Sequence, residues 1–160
     1  MRSHVYSVPN STVNSSNLVV KSPRKKGVDS GLRPYGCTVT RTAHRPWNTA
    51  DFCGIARHVL GSSYLLSIVL IGDKRARVLN STYRNKTKPT NVLSFPLSKH
   101  SGELFLNLAR IQREAHRFGL SPQGHAKFLL IHGCLHLKGH THGSTMEKAE
   151  KQLIKKFNLR

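Results

Sequence analysis

Ser121-Pro-Gln-Gly-His-Ala-Lys-Phe-Leu-Leu-Ile-His-Gly-Cys-Leu-His-Leu-Lys-Gly-His-Thr-His142 is the stretch on which the reading of the fold turns. Ser121 at an N-cap, followed by Pro122 at the first helical position, is a strong start signal. From Ala126 to Leu137 the residues are apolar nearly all round, which predicts a helix buried at the centre of a domain. His132 and His136 are four apart and so stack on one face of that helix. Gly139 suits the turn after a helix C-terminus, and such a turn would bring His142 back toward the other two rings. Three imidazoles with an open fourth position predict a catalytic zinc site. A buried imidazole needs a partner, and a metal ion is a good one. His140 is the alternative third ligand.

The His pair shares its spacing with H-E-x-x-H zinc helices, but position 133 is Gly where a metallopeptidase carries its general-base Glu. Cys134 lies two residues from each of the paired His and therefore points elsewhere; it reads as core packing.

The 160 residues suffice for one domain with a core of its own. Lys and Arg number 26 against 7 Asp and Glu, a formal charge of +19, which predicts attraction to polyanions such as RNA, DNA or anionic lipid. No apolar run is long enough to span a membrane. Three cysteines, Cys37, Cys53 and Cys134, are odd in number and far apart, so the expectation is a reducing compartment and no disulfide framework.

Outward from the His helix, residues 1–34 form a basic tail rich in Ser, Asn, Pro and Lys/Arg, expected to be disordered for want of apolar surface. Three roles compete for it: an RNA-binding arm, an organellar targeting peptide, and an upstream extension from a misassigned start. Residues 35–160 are expected to be a single domain. Within it, strands are predicted at Gly36–Thr42, Tyr64–Ile71, Asn91–Pro96 and Glu103–Leu108, with a turn at Ser101–Gly102. The apolar run at Tyr64–Ile71 predicts a strand covered on both faces, and Pro96 marks an edge or an end. Helices are predicted from a cap at Asn48 or Thr49 to Leu60, from a cap at Asp73 to Arg84, and from Ala109 to Phe118. Ser144-Thr-Met-Glu147 reads as a capping box for a last helix with Met146, Ala149, Leu153, Ile154 and Phe157 on its apolar face. The strands and helices alternate without a regular rhythm. The predicted class is α+β: a small mixed β-sheet packed by helices, with a central buried helix carrying the metal-binding histidines.

A second motif lies upstream: Leu79-Asn-Ser-Thr-Tyr-Arg-Asn-Lys-Thr-Lys-Pro-Thr-Asn-Val-Leu-Ser-Phe-Pro96. Arg84, Lys86 and Lys88 cluster ahead of a Pro, and an arginine can fork two donors onto one phosphate. Thr90, Asn91 and Ser94 add neutral donors. This motif resembles L-N-x-x-Y-R-x-K-x-x-P-T-N-V-L-S-F-P of the YbeY family of rRNA maturation endoribonucleases. The stretch His132–His142 resembles that family's H-G-x-L-H-L-x-G-Y-D-H. The similarity extends from about Tyr64 to Phe157.

The resemblance implies one zinc per chain held by His132, His136 and His142 and a catalytic arginine at Arg84, while the chemistry of the loop makes Arg84, Lys86, Lys88, Asn91 and Ser94 the candidate substrate contacts. It implies cleavage of single-stranded RNA in rRNA maturation, at the 3′ end of 16S rRNA, and in ribosome quality control. Its partners would be the small ribosomal subunit and ribosomal or assembly-factor proteins, with no membrane. A bacterial cytoplasm is the implied setting, and an organelle the second. Two rival readings are a non-catalytic RNA-binding assembly factor with a structural zinc and, further off, a zinc peptidase. The chain departs from the motif at His140-Thr141, where the family has Tyr-Asp; that Asp would orient a ligand or shape the turn, and Thr141 keeps a hydroxyl but lacks the charge. No general base stands out, with Glu103 and His140 the remaining acids or bases of interest.

Overall fold

In a computed structural model, residues 36–42 and 47–159 are described; the basic tail 1–34 lies outside them. The strands are β1 (Cys37–Arg41), β2 (Leu65–Ile71), β3 (Val92–Ser98) and β4 (Ser101–Asn107). The helices are α1 (Phe52–Leu60), α2 (Asp73–Arg84), α3 (Leu108–Glu114), α4 (Pro122–Leu137) and α5 (Ser144–Lys156). A 3-10 turn, Ala115–Phe118, continues α3 and ends at Gly119, whose φ of 65° suits a residue without a side chain.

The sheet runs β1-β2-β4-β3. The pairs β1/β2 and β2/β4 are parallel, and β3/β4 is an antiparallel hairpin. The expected mixed sheet packed by helices is therefore present. The hairpin turn falls at Lys99–His100 rather than at Ser101–Gly102, which already belong to β4. Pro96 sits on the edge strand, next to a break in register between Pro96 and Ser98, where a missing donor costs least.

Strand alternation divides the molecule into three layers. Leu66, Ile68 and Leu70 of β2 and Leu104 and Leu106 of β4 face a core shared with α1, α3, α4 and α5. Ile71, Leu93 and Phe105 face the other way, where Ala76 and Leu79 of α2 cover them. Eleven residues of α4 are buried, which makes it the central helix that its composition predicts. Ser121 starts it, its side chain accepting from the Gly124 amide at 3.0 Å. Complete burial of Leu130 and Ile131 contributes about 1.5–3 kcal/mol each.

Three expected caps are displaced. Asn48 accepts from the Ala50 amide in a turn before α1, which begins only at Phe52. Asp73 is the first residue of α2 rather than its cap, because its carboxylate is taken by Asn107 and Arg113, each at 2.8 Å. Burial pushes that carboxyl upward, but these donors outweigh burial and hold it below its ordinary value. Gly143 precedes α5 at φ 153°, and Ser144 makes no capping bond, so the capping box does not form. The glycine lets the chain enter the helix one residue earlier than the serine signal implies.

The expectation of no disulfide is also corrected: Cys37 on β1 is bonded to Cys53 on α1, with their Cα atoms 5.5 Å apart. A separation of 16 residues looked unremarkable in the sequence, but α1 folds directly back on β1 and brings the two thiols together. Cys134 is a free thiol, fully buried, and burial pushes its pKa far up, as expected of core packing.

Candidate metal centre

The site begins with the four-residue spacing on α4. The ring centroids of His132 and His136 lie 4.6 Å apart, and their Nε2 atoms 3.1 Å apart. His142 follows the turn at Gly139, whose φ is 95°, and its ring comes to 5.3 Å from His132 and 4.7 Å from His136. One ligand atom from each of the three rings lies within 4.8 Å of the others. Among the described residues this is the one such group of three. The ring of His140 does not join it; its backbone carbonyl accepts from His136 Nδ1 at 2.8 Å instead.

The other nitrogens decide what the Nε2 pair can be. A carbonyl oxygen only accepts, so His136 Nδ1 must donate to it. His132 Nδ1 lies 2.6 Å from Glu150 Oε1 and likewise donates. Neutral rings that have placed their protons on Nδ1 present two lone pairs to each other across 3.1 Å. Burial, and then the neighbouring His132, draw the His136 imidazole from 6.5 down to about 4, so His136 keeps a bare Nε2. Two converging lone pairs call for a cation. Tetrahedral zinc sets its imidazole nitrogens about 3.3–3.4 Å apart, so this donor set fits.

Gly133 has a reason unconnected with chemistry. A Cβ there would overlap Leu104 Cδ1 and come within 2.9 Å of Ser94 Oγ. The residue is glycine because α4 lies directly on β3 and β4, and a Glu at this position would point into the sheet. Glu103 is equally unsuited as a base for this site: it alternates with Leu104 on β4 and so faces the α2 side, away from α4.

Arg84 is the last residue of α2, the helix whose Ala76 and Leu79 cover the face of the sheet turned away from α4. It is half-buried, burial lowers its pKa, and among the described residues no carboxylate lies within ion-pair distance of it. Lys86 and Lys88 are exposed on the loop that follows. That loop is fastened from below: Asn80 Nδ2 donates to the Lys88 carbonyl at 2.6 Å, Arg110 to the Pro89 carbonyl, and Asn107 Nδ2 to the Thr90 carbonyl at 3.0 Å. Asn91 gives its amide to Glu114 at 3.1 Å, and Ser94 is buried under Gly133. The structure thus gathers the three histidines tightly and presents Arg84, Lys86 and Lys88 as available cations, while Asn91 and Ser94 have structural neighbours.

Glu150 is the site residue that the sequence did not disclose. Its only signal is an acid on the apolar face of α5, four residues from both Met146 and Ile154.

Residues 48–158 match the family model described as Endoribonuclease YbeY. The chain belongs to the YbeY family. The match begins well before Tyr64 and so takes in α1 as well. The chain is 37% identical over 100 residues to an Endoribonuclease YbeY of Chelativorans sp., covering 57% of this chain and 61% of that one. It is 35% identical over 116 residues to one of Pseudomonas putida, covering 64% and 74%. The chain thus spans less than two thirds of the Chelativorans relative. The solution structure of TM1509 from Thermotoga maritima has a similar fold, with a TM-score of 0.58 at 19% identity over 75% of this chain and 87% of that one. Among the described residues of this YbeY-family chain, no helix is long and apolar enough to cross a membrane.

Proposed function

We propose that the chain is a zinc-dependent endoribonuclease that cuts single-stranded RNA in rRNA maturation, at the 3′ end of 16S rRNA, and in ribosome quality control. The observation that carries it is the pair of Nε2 atoms 3.1 Å apart whose rings have both committed their Nδ1 protons elsewhere. Family membership and the +19 charge support RNA as the substrate. One zinc per chain, held by His132, His136 and His142, would supply a Lewis acid at the phosphoryl group.

The chain's own residues do the rest. Nδ1 donation to Glu150 and to the His140 carbonyl holds two rings with their lone pairs inward. Arg84 offers a forked cation, half-desolvated and unpaired among the described residues, to a phosphate. Lys86 and Lys88 attract the RNA backbone from a loop whose carbonyls Asn80 and Asn107 hold in place. Asn91 and Ser94 shape the strand behind that loop.

A structural zinc in a non-catalytic assembly factor would call for a fourth protein ligand, and His140 directs only its carbonyl to the group. A peptidase would call for a base where Gly133 leaves no room. Residues 1–34 are proposed to add RNA affinity without adding cleavage. Deleting them should reduce the salt slope of binding by about 0.7 for each phosphate that the tail had neutralised. The proposed partners are the small ribosomal subunit and ribosomal or assembly-factor proteins. The proposed setting is a bacterial cytoplasm, or second an organelle; the Cys37–Cys53 bond weighs toward the less reducing of these.

The test pairs metal analysis with incubation on single-stranded RNA and on a peptide. The zinc-reconstituted chain should cut RNA alone, and His132→Ala should abolish cutting. Tight RNA binding without cleavage would establish the assembly factor instead.

A further inference from the structure

Of the six acids among the described residues, five are accounted for by their surroundings. Asp51 pairs with Lys127, Asp73 with Arg113, and Glu114 with Arg110. Glu103 lies on the far face of the sheet. Glu147 is exposed. Glu150 differs from all of these. Its side chain is only 15% exposed, and among the described residues of a chain with 26 Lys and Arg none lies within ion-pair distance of it. Its neighbour is His132, 8% exposed, through a 2.6 Å bond to Nδ1. A nearly buried carboxylate with an imidazole as its one partner is costly unless positive charge stands on or beyond that ring. A cation on the far side of that imidazole removes the cost.

We propose that Glu150 is the anionic outer partner of the metal centre: its carboxylate fixes the His132 ring with Nε2 inward and strengthens that nitrogen as a ligand. The reading rests on the metal site proposed above. His136 is backed by a neutral carbonyl, and position 141 is an exposed Thr. The two helix ligands are thus unequal, one backed by a charge and the other by a dipole. A hydrogen bond from a ligating imidazole to a carboxylate raises the basicity of the metal-binding nitrogen, and removing such a partner typically lowers metal affinity by about 10- to 100-fold. Glu150 is a positioning residue in this account, since it acts through His132. Helix α5 therefore has a second task besides covering the core with Met146.

The experiment is a zinc titration against a competing chelator on the full chain, run on wild type, Glu150→Gln, Glu150→Ala and, as a control on the same helix, Glu147→Gln. Thermal unfolding without metal is recorded for each. Glu150→Gln keeps the shape and an accepting oxygen but removes the charge. It should bind zinc about tenfold more weakly, with metal-free unfolding little changed; Glu150→Ala should approach a hundredfold. Nitrogen NMR of the metal-free chain should show His132 protonated at Nδ1 in wild type and a mixture of tautomers in Glu150→Ala. A purely structural Glu150 would be satisfied by Gln, so wild-type zinc affinity in Glu150→Gln overturns the proposal. Should Glu150→Ala fail to fold, the Gln variant still decides. Failure of the wild type itself to bind zinc would instead overturn the metal site.

Discussion

His132 Nε2 and His136 Nε2 face each other at 3.1 Å, while Glu150 and the His140 carbonyl hold the opposite nitrogen of each ring. Each ring is fixed in orientation before any ligand arrives, so the entropy of ordering the two side chains has already been met by folding.

Zinc should bind at about one per chain and be lost in His132→Ala, His136→Ala and His142→Ala, but not in His140→Ala, whose carbonyl survives the substitution. Elemental analysis after reconstitution checks this. Equal loss in His140→Ala and retention in His142→Ala would reverse the assignment.

Acid should weaken the metal-free fold. The His136 imidazole, mainly through burial, is drawn from 6.5 to about 4. Between those values the unfolded chain takes up a proton that the folded chain refuses. The contribution of this group is therefore whole above about 6.5 and is lost as pH falls toward 4. Urea midpoints measured across that window should decrease with acidity, and His136→Gln should flatten the trend.

Gly133→Ala should destabilise the chain although Ala is the better helix former. The added methyl meets Leu104, which is fully buried, and Ser94 Oγ. Overpacking of this kind costs about 1–3 kcal/mol, against about 1 kcal/mol gained from helix propensity. Denaturant unfolding should report a net loss, and the second change Leu104→Val should recover part of it.

Arg84→Lys should impair RNA cleavage nearly as much as Arg84→Ala, because a fork onto phosphate needs the guanidinium plane as well as the charge. The expected fall in kcat is about 10²- to 10³-fold, by analogy with removal of one oxyanion-hole donor, with RNA affinity and zinc content little changed. Near-full activity in Arg84→Lys would reduce this residue to a general electrostatic contact.

Reduction of Cys37–Cys53 should cost about 3 kcal/mol, the chain-entropy value for closing a loop of this size. Unfolding with and without reductant, alongside Cys53→Ser, measures it.

Much of this was legible in the sequence because the signals were local. Ser121-Pro122 announced α4, and its all-round apolar character announced that it would be central. The displaced starts have different causes: a local turn took Asn48 before α1, Asn107 and Arg113 claimed Asp73 at α2, and Gly143 let the chain enter α5 early. What the sequence could not show was contact at long range. Glu150 lies 18 residues from His132 and reads as one charge among many on a basic helix until α5 folds back. Leu104 beneath Gly133 is the same kind of fact: the glycine was visible, but not the side chain that requires it.

Helix α5 buries Met146 as its one fully buried residue and rests its remaining apolar side chains only partly against the core. It is joined to the site at both ends of one short span, by His142 just before it and by Glu150 within it. The backbone amides of this thirteen-residue helix should therefore exchange with deuterated solvent more readily than those of the buried α4 in the metal-free protein. Zinc raises its protection in proportion to RT ln(1 + [Zn]/Kd). Helix α5 thus serves as a gauge of occupancy, readable by mass spectrometry without any substrate.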